Sequence, residues 1–344
     1  MPERLCCAEC FGDSHLRKDI PARFPRPPGR CDYCGVESAS RAAPEELSDL
    51  FEALIEIYEP SVEGAPLIPL LRRDWHLFTG PAMSRDAAAE ELLVDVMGHR
   101  GAVNTLFSRS VGSAVPGFAR WENLRKEIMH DNRWFLTESI QYDRLAAHFS
   151  SLEVDPAELS SEWYRARVVD EESFGVSKMG APPATKATHG RANPPGIRYL
   201  YVGSTLDTAV SEVRPHTGDV VCVAEFAVGN KKVVDLRDPR SMVSPFPFVL
   251  EDDQIRQVYA DLPVLVRLGE ELTRPVRPSS AAYEYAPSQY LCEFIKHSGY
   301  DGVAYASSVS DGVNLALFRP DDFVAHSVEQ YDVSKVKLTV SPRS

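Results

Sequence analysis

The segment at residues 190–214, GRANPPGIRYLYVGSTLDTAVSEVR, constrains the fold of this chain most strongly, because it joins a turn, a strand and a helix. Glycine and proline at 190–196 predict the turn, and the run at 197–202 predicts the strand. A capping-box-like start at 204–207 and apolar residues at i, i+3, i+4 and i+7 predict the helix. The three elements carry Arg191, Tyr201 and Glu212 in that order. A cation, an aromatic ring and a carboxylate on adjoining elements suit a substrate with phosphates, a flat base and a sugar.

Three further segments accompany this unit along the chain. They are YRARV at 164–168, VVDL at 233–236 and SQYLCEFIKHSGYDGVAYASSVSDGVNLALF at 288–318. In this order the four segments resemble the RES domain, a family known as NAD-degrading toxins of bacterial toxin–antitoxin pairs. The last segment contains the family's glutamine, its Gly-Tyr-Asp-Gly run and its Ser-Ser…Asn motif. The resemblance extends from about residue 164 to residue 323.

The resemblance implies an α+β, ADP-ribosyltransferase-like domain whose small split sheet leaves a central cleft for NAD. A mixture of predicted strands and short helices, with a loop at 273–287, agrees with this class. The implied reaction is cleavage of the nicotinamide–ribose bond, with phosphate (NAD phosphorylase) or water (NAD glycohydrolase) as the acceptor. Transfer of ADP-ribose to a macromolecule is an alternative. A toxin or defence role follows, and a neutralising antitoxin-like partner is expected.

The residues that match the family motifs suggest roles for each side chain. Nicotinamide is already a cationic leaving group, so a carboxylate can assist by stabilising an oxocarbenium-like sugar, and Glu212 is the candidate. Arg191 and Arg165 are candidates for phosphate contacts, because guanidinium binds phosphate oxygens bidentately. Arg167 competes with Arg165, since residues two apart share one face of a strand.

The remaining candidates supply aromatic and hydrogen-bonding groups. Tyr201 would stack on nicotinamide or hold the ribose. Ser307 matches the family serine and is interpreted as a hydrogen-bond donor to substrate, because no Ser-His-Asp arrangement accompanies it. Ser308 and Asn314 complete the predicted polar set. We therefore predict catalytic roles for Arg191, Tyr201, Glu212 and Ser307, and substrate binding by Arg165, Arg167, Ser308 and Asn314.

Two C-x-x-C pairs near the N-terminus predict a zinc ribbon. Cys7 and Cys10 are separated by twenty residues from Cys31 and Cys34. Two such turns can direct four thiolates at one tetrahedral ion, which leaves no coordination position for water and makes the metal structural. Cys6 could replace Cys7 as a ligand. Disulfides are not expected in a chain with no secretory signal pattern.

A helical region is predicted between the cysteines and the RES-like part. Apolar stripes at 44–58, 85–98 and 121–135 predict helices, and this half resembles the HEPN-like helical domain that some RES proteins carry. HEPN domains often cut RNA with an Arg-x4-His motif, and Arg125 to His130 has that spacing. Ribonuclease activity is therefore an alternative function. The predicted domains are a zinc-ribbon-like knuckle at 1–40, the helical domain at 41–150 and the RES domain at 151–344.

Composition limits the partners of the chain. Its 344 residues carry a formal charge of −13, which argues against indiscriminate nucleic-acid binding. Apolar runs are too short to span a bilayer, so a cytoplasmic protein with no membrane contact is expected. The predicted small molecules are NAD as substrate, inorganic phosphate as an acceptor and structural zinc. The sequence leaves open whether the chain forms a homo-oligomer.

Overall fold

The computed structural model describes residues 3–24, 26–80, 83–109, 115–137, 142–248, 254–277 and 279–337. The chain forms two compact units. The first comprises Met1–Trp121 and Pro239–Leu265, and the second comprises Glu122–Asp238 and Val266–Ser344. Each unit takes residues from two separate parts of the chain.

The helices and strands follow one another along both units. The helices are α1 (Ala8–Phe11), α2 (Leu16–Arg23), α3 (Ser48–Ile55), α4 (Leu67–Trp75), α5 (Asp86–Met97), α6 (Gly101–Asn104), α7 (Val115–His130), α8 (Tyr142–Ser151), α9 (Pro156–Leu159), α10 (Leu206–Glu212), α11 (Pro239–Met242), α12 (Gln254–Thr273), α13 (Ala281–Glu284) and α14 (Ala286–His297). The strands are β1 (Gly29–Arg30), β2 (Glu37–Ser38), β3 (Tyr58–Ala65), β4 (Phe107–Arg109), β5 (Glu153–Val154), β6 (Trp163–Val168), β7 (Leu200–Gly203), β8 (Val220–Phe226), β9 (Val233–Asp235), β10 (Gly302–Ala306), β11 (Val313–Leu317) and β12 (Ser327–Asp332). None of the helices described is long and apolar enough to cross a membrane.

The first unit is mainly helical and has an aromatic core. Phe11 packs against Phe51 and Phe78 with ring centroids 5.5 and 5.6 Å apart. The buried carboxylate of Asp74 accepts hydrogen bonds from the hydroxyls of Tyr58 and Tyr259, at 3.1 and 3.0 Å. The second of these bonds joins residues 239–265 to the N-terminal part of the unit, and it offsets part of the cost of burying the carboxylate.

The second unit contains an eight-stranded mixed sheet with the order β12-β8-β6-β7-β11-β10-β9-β5. All neighbours are antiparallel except β9 and β10, which are parallel. Helix α10 packs on one face of this sheet, where its residues Leu206, Ala209 and Val210 contact an apolar cluster around Val221 and Val223. The predicted α+β class is therefore confirmed. The interval predicted as a loop at 273–287 contains the short helix α13.

The sheet is almost divided between β6 and β7. Strand β6 pairs with β8 over all six of its residues, but it pairs with β7 only through Tyr164 and Gly203. Beyond that pair, the guanidinium of Arg165 donates from Nη1 to the carbonyl oxygen of Tyr201, at 3.1 Å. A side chain thus spans the place where a continuous ladder would have a backbone hydrogen bond. This division agrees with the split sheet expected from the sequence.

Candidate active site

A cavity of about 490 Å³ opens at the division of the sheet. Its walls come from β6 and β7, from helix α10, from the turn before β7, from the segment around α13, and from β10 and β11. Most of its lining is apolar or aromatic, with a few charged and polar groups. Those groups are Arg165, His189, Arg191, Glu212, Arg214 and Asn314.

Glu212 lies at the C-terminal end of α10, on the cavity wall. The helix begins with Thr205, whose hydroxyl accepts a hydrogen bond from the amide of Thr208 at 3.1 Å. At the other end, Oε1 of Glu212 accepts from Oγ of Ser307 at 2.7 Å and from Nδ2 of Asn314 at 2.6 Å. Three residues predicted from two distant segments of the chain are therefore brought together by direct hydrogen bonds.

The loop between β10 and β11 fixes the position of Ser307. Its Oγ accepts hydrogen bonds from the amides of Val309 and Ser310, both at 3.2 Å, while it donates to Glu212. The loop approaches α10 closely at Gly312, where a Cβ atom would lie 1.9 Å from Oγ1 of Thr208. Glycine at this position therefore permits the contact that brings the serine loop to the glutamate.

Arg191 is held in place by hydrogen bonds and by an aromatic ring. Its Nη1 donates to the carbonyl oxygen of Arg274 at 2.6 Å, and its Nη2 donates to Oγ of Ser308 at 3.1 Å. The guanidinium lies 5.5 Å from the ring centroid of Tyr285. In turn, the carbonyl oxygen of Arg191 accepts from Oγ of Ser288 at 2.6 Å. The cation is thus fixed before any substrate arrives, and Ser308 contributes to its orientation.

Tyr201 presents its ring to the cavity and uses its hydroxyl within the protein. The hydroxyl donates to Oδ1 of Asn193 at 2.7 Å and accepts from the amide of Ala192 at 3.0 Å. Burial raises the pKa of Tyr201, so the hydroxyl remains a neutral donor. A Cβ atom at Gly190 would lie 2.6 Å from this hydroxyl, so glycine allows the turn to close over the tyrosine. Tyr201 can therefore contact a ligand through its ring, since its hydroxyl is already hydrogen-bonded within the protein.

The structure separates the two competing arginines of β6. Arg165 lines the cavity, whereas Arg167 donates from Nη1 to the carbonyl oxygen of Lys178 at 2.9 Å and lies 3.8 Å from the ring centroid of Phe174. Burial, together with the charge of Arg167, lowers the pKa of Arg165 to about 10. Its Nε is buried and has no partner among the described residues. Arg165 therefore brings a positive charge to the cavity wall, while its Nε is enclosed by protein.

Three aromatic residues of the cavity were not found from the sequence. Tyr305, Tyr285 and His189 all line it, and the last two have ring centroids 6.3 Å apart. Tyr305 stands in a strand whose pattern is typical of core residues, so periodicity could not distinguish a cavity-facing tyrosine from a packed one. One sequence signal could have suggested that Tyr305 lines the cavity, namely its position two residues before Ser307 of the Ser-Ser motif.

The cysteine pairs meet in the first unit. The sulfurs of Cys7, Cys10, Cys31 and Cys34 all lie within 4.8 Å of one another. Cys6 instead lies with its sulfur 3.5 Å from the carbonyl oxygen of Ala42, and burial raises its pKa. The cluster therefore consists of the four cysteines predicted, with Cys7 rather than Cys6. Four thiols at this spacing can hold a metal ion, and their chemistry fits zinc.

The arginine and the histidine of the Arg-x4-His motif have separate partners. Nε of Arg125 donates to the buried carboxylate of Glu271 at 2.6 Å, and His130 lies 5.7 Å from the ring centroid of Tyr283. Residues five apart on α7 differ by about 140° around the helix axis. The guanidinium of Arg125 thus neutralises a buried acid, and the geometry gives no support to a shared RNA site.

Fold and site together define an α+β domain with a cavity large enough for a nucleotide. The RES domain family model matches residues 162–340, which is more than half of the chain. The chain therefore belongs to the RES domain family. Among solved structures, it is similar to one described as the crystal structure of the M. tuberculosis MbcT-MbcA toxin-antitoxin complex. That match has 11% identity and a TM-score of 0.33, and it covers 56% of this chain and 94% of the other. No curated protein matches the chain.

Proposed function

We propose that this chain is an enzyme that cleaves the bond between nicotinamide and ribose in NAD, as its RES family membership suggests. One observation carries the proposal: Oε1 of Glu212 accepts hydrogen bonds from both Ser307 and Asn314 at the cavity wall. No described residue donates to its Oε2. One oxygen thus fixes the carboxylate, and the other is left for the ribose hydroxyls or for the developing sugar cation.

The proposed mechanism depends on electrostatic stabilisation. Nicotinamide departs from NAD as a neutral molecule, so the leaving group needs no proton, and positive charge develops on the ribose as in glycoside hydrolysis. A carboxylate already oriented toward that position stabilises the charge without reorganisation during the reaction. Glu212 supplies this carboxylate, and Ser307 and Asn314 keep it in place.

The arginines of the cavity wall suit an anionic part of the substrate. Arg165 lines the cavity and donates from Nη1 to the carbonyl oxygen of Tyr201, whereas its Nη2 donates to no described residue. Arg191 retains further N–H groups beyond those it donates to Arg274 and Ser308. We propose that these cations contact the pyrophosphate of NAD or a free phosphate acceptor. Both phosphorolysis and hydrolysis are compatible with such contacts.

Further parts of the proposal follow from the cysteine cluster and from the family. We propose that the four cysteines bind one structural zinc ion, because four thiolates leave no open coordination position for catalysis. Loss of NAD would harm the cell that contains the enzyme. A toxin or defence role in the cytosol, controlled by a neutralising protein that covers the cavity, is therefore proposed as well.

The function is tested by incubating the pure protein with NAD, with and without inorganic phosphate, and identifying the products by mass. Nicotinamide with ADP-ribose 1″-phosphate indicates phosphorolysis, and nicotinamide with ADP-ribose indicates hydrolysis. ADP-ribose attached to a protein would instead favour the transferase alternative. Unchanged NAD, in the presence of correctly folded protein, would refute the proposal.

A further inference from the structure

Tyr305 is a cavity residue to which the proposed reaction has so far given no role. It lies near the end of β10 and pairs directly with Asn314 on β11. Directly paired residues face the same side of a sheet, so Tyr305 stands beside the amide that holds Glu212. The residue is 4% exposed and forms part of the cavity wall. Tyr305 is therefore adjacent to the group that is proposed to stabilise the reacting sugar.

The hydroxyl of Tyr305 differs from those of two other tyrosines, which lie just before and within β7. Tyr199 donates to the carboxylate of Glu293, and Tyr201 donates to Asn193. Tyr305 makes no hydrogen bond with any residue in the described part of the chain. Buried tyrosine hydroxyls usually have a partner, so a partner for this one is expected from the contents of the cavity.

The surroundings of Tyr305 determine which kind of partner it can take. Burial raises the pKa of Tyr305 well above the ordinary value. Electrostatic interaction with Tyr201 and with Glu212 raises it further. The phenol therefore stays protonated at physiological pH and can donate one hydrogen bond. Its partner is an acceptor on the ligand.

The acceptors of NAD can be assigned by their chemistry. Ribose hydroxyls can donate to the carboxylate of Glu212, which accepts only. Phosphate oxygens are better matched by the charged donors of Arg165 and Arg191. The carboxamide oxygen of nicotinamide is neutral and needs a neutral donor close to the scissile bond. We propose that the hydroxyl of Tyr305 donates a hydrogen bond to this carboxamide oxygen, an inference that rests on the proposed cleavage of NAD.

The experiment compares wild type with Tyr305→Phe on two dinucleotides, NAD and its thionicotinamide analogue, whose sulfur is a weak acceptor. For NAD, loss of the bond should lower kcat/KM by about 2- to 13-fold. Most of the change should be in KM, because the carboxamide contact exists before and during the reaction. For the analogue, the substitution should change kcat/KM by less than about 2-fold. An equal loss on both dinucleotides, or a loss confined to kcat, would overturn the proposal.

Two further measurements distinguish this contact from a structural effect and from failure of the proposed function. Tyr305→Phe removes no protein hydrogen bond and should leave the melting temperature unchanged. The control Tyr199→Phe loses its bond to Glu293 and should lower the melting temperature.

Nicotinamide binding, measured by calorimetry, should weaken in Tyr305→Phe and not in Tyr199→Phe. If wild type leaves NAD intact, the proposed function fails. Equal nicotinamide affinity in wild type and Tyr305→Phe would overturn the carboxamide contact whether or not NAD is consumed.

Discussion

Replacing Glu212 with glutamine tests the mechanism most directly, because the surroundings of this side chain accept the change. The glutamine carbonyl can take the place of Oε1 and still accept from Ser307 and Asn314. The amide group then occupies the position of Oε2, to which no described residue donates a hydrogen bond. The side chain is exposed at the cavity wall, so little stability depends on its charge. The substitution should therefore keep the fold and the arrangement of the loop.

The expected effect is on the rate. Removal of one preoriented electrostatic group costs about 2.7 to 4 kcal/mol of transition-state stabilisation, or about 100- to 1000-fold in kcat. NAD binding should change much less, because the charge is needed when the sugar becomes cationic. The assay is release of nicotinamide from NAD at saturating substrate, with NAD affinity measured separately. A matched control is Glu172→Gln, an exposed carboxylate that does not line the cavity. Full activity in Glu212→Gln, or an equal loss in Glu172→Gln, would refute the reasoning.

The remaining predictions concern the cations, the helical region and the metal. Arg165→Met should weaken NAD binding about 10- to 150-fold, as expected for a lost charge-assisted hydrogen bond, whereas Arg167→Met should change it less than about 3-fold by the same titration. In wild type, binding should also weaken as the pH rises through about 10, where Arg165 loses its proton. His130→Ala should leave NAD consumption and the RNA of treated cells unchanged, and RNA fragments that vanish with this substitution would favour the ribonuclease alternative. Metal analysis should find about one zinc per chain, absent after Cys31→Ser with Cys34→Ser, and chelation should unfold the cysteine region without abolishing NAD turnover.

The sequence predicted the elements around the site well where local signals were strong. The turn, strand and helix at 190–214 depend on glycine, proline and capping residues close to one another, and the structure has β7 and α10 there. The helix predicted at 85–98 corresponds to α5, which ends at the left-handed glycine Gly98. Strand β12 was not predicted, because its polar residues form a strand only by pairing with β8, which is distant in sequence.

The sequence indicated several polar residues of the cavity but not their arrangement. Period-two alternation places Arg165 and Arg167 on one face of β6 and cannot choose between them. Their different surroundings arise from the single contact between β6 and β7, which is a long-range property of the sheet. The same limitation applies to Tyr305, since the lack of a hydrogen-bond partner becomes visible only when every neighbour has been placed.

The division of the sheet explains why the cavity and its charge occur together. Separation of β6 from β7 beyond Tyr164 and Gly203 creates room between the strands, but it also removes backbone hydrogen bonds. Arg165 compensates one of these by donating to the carbonyl oxygen of Tyr201, which draws its guanidinium into the opening. The positive charge of Arg165 thus lies at the cavity wall, where it can attract an anionic ligand, although its enclosed Nε has no partner among the described residues. A methionine at position 165 would therefore remove two things at once, the bond across the division and the attraction for the ligand.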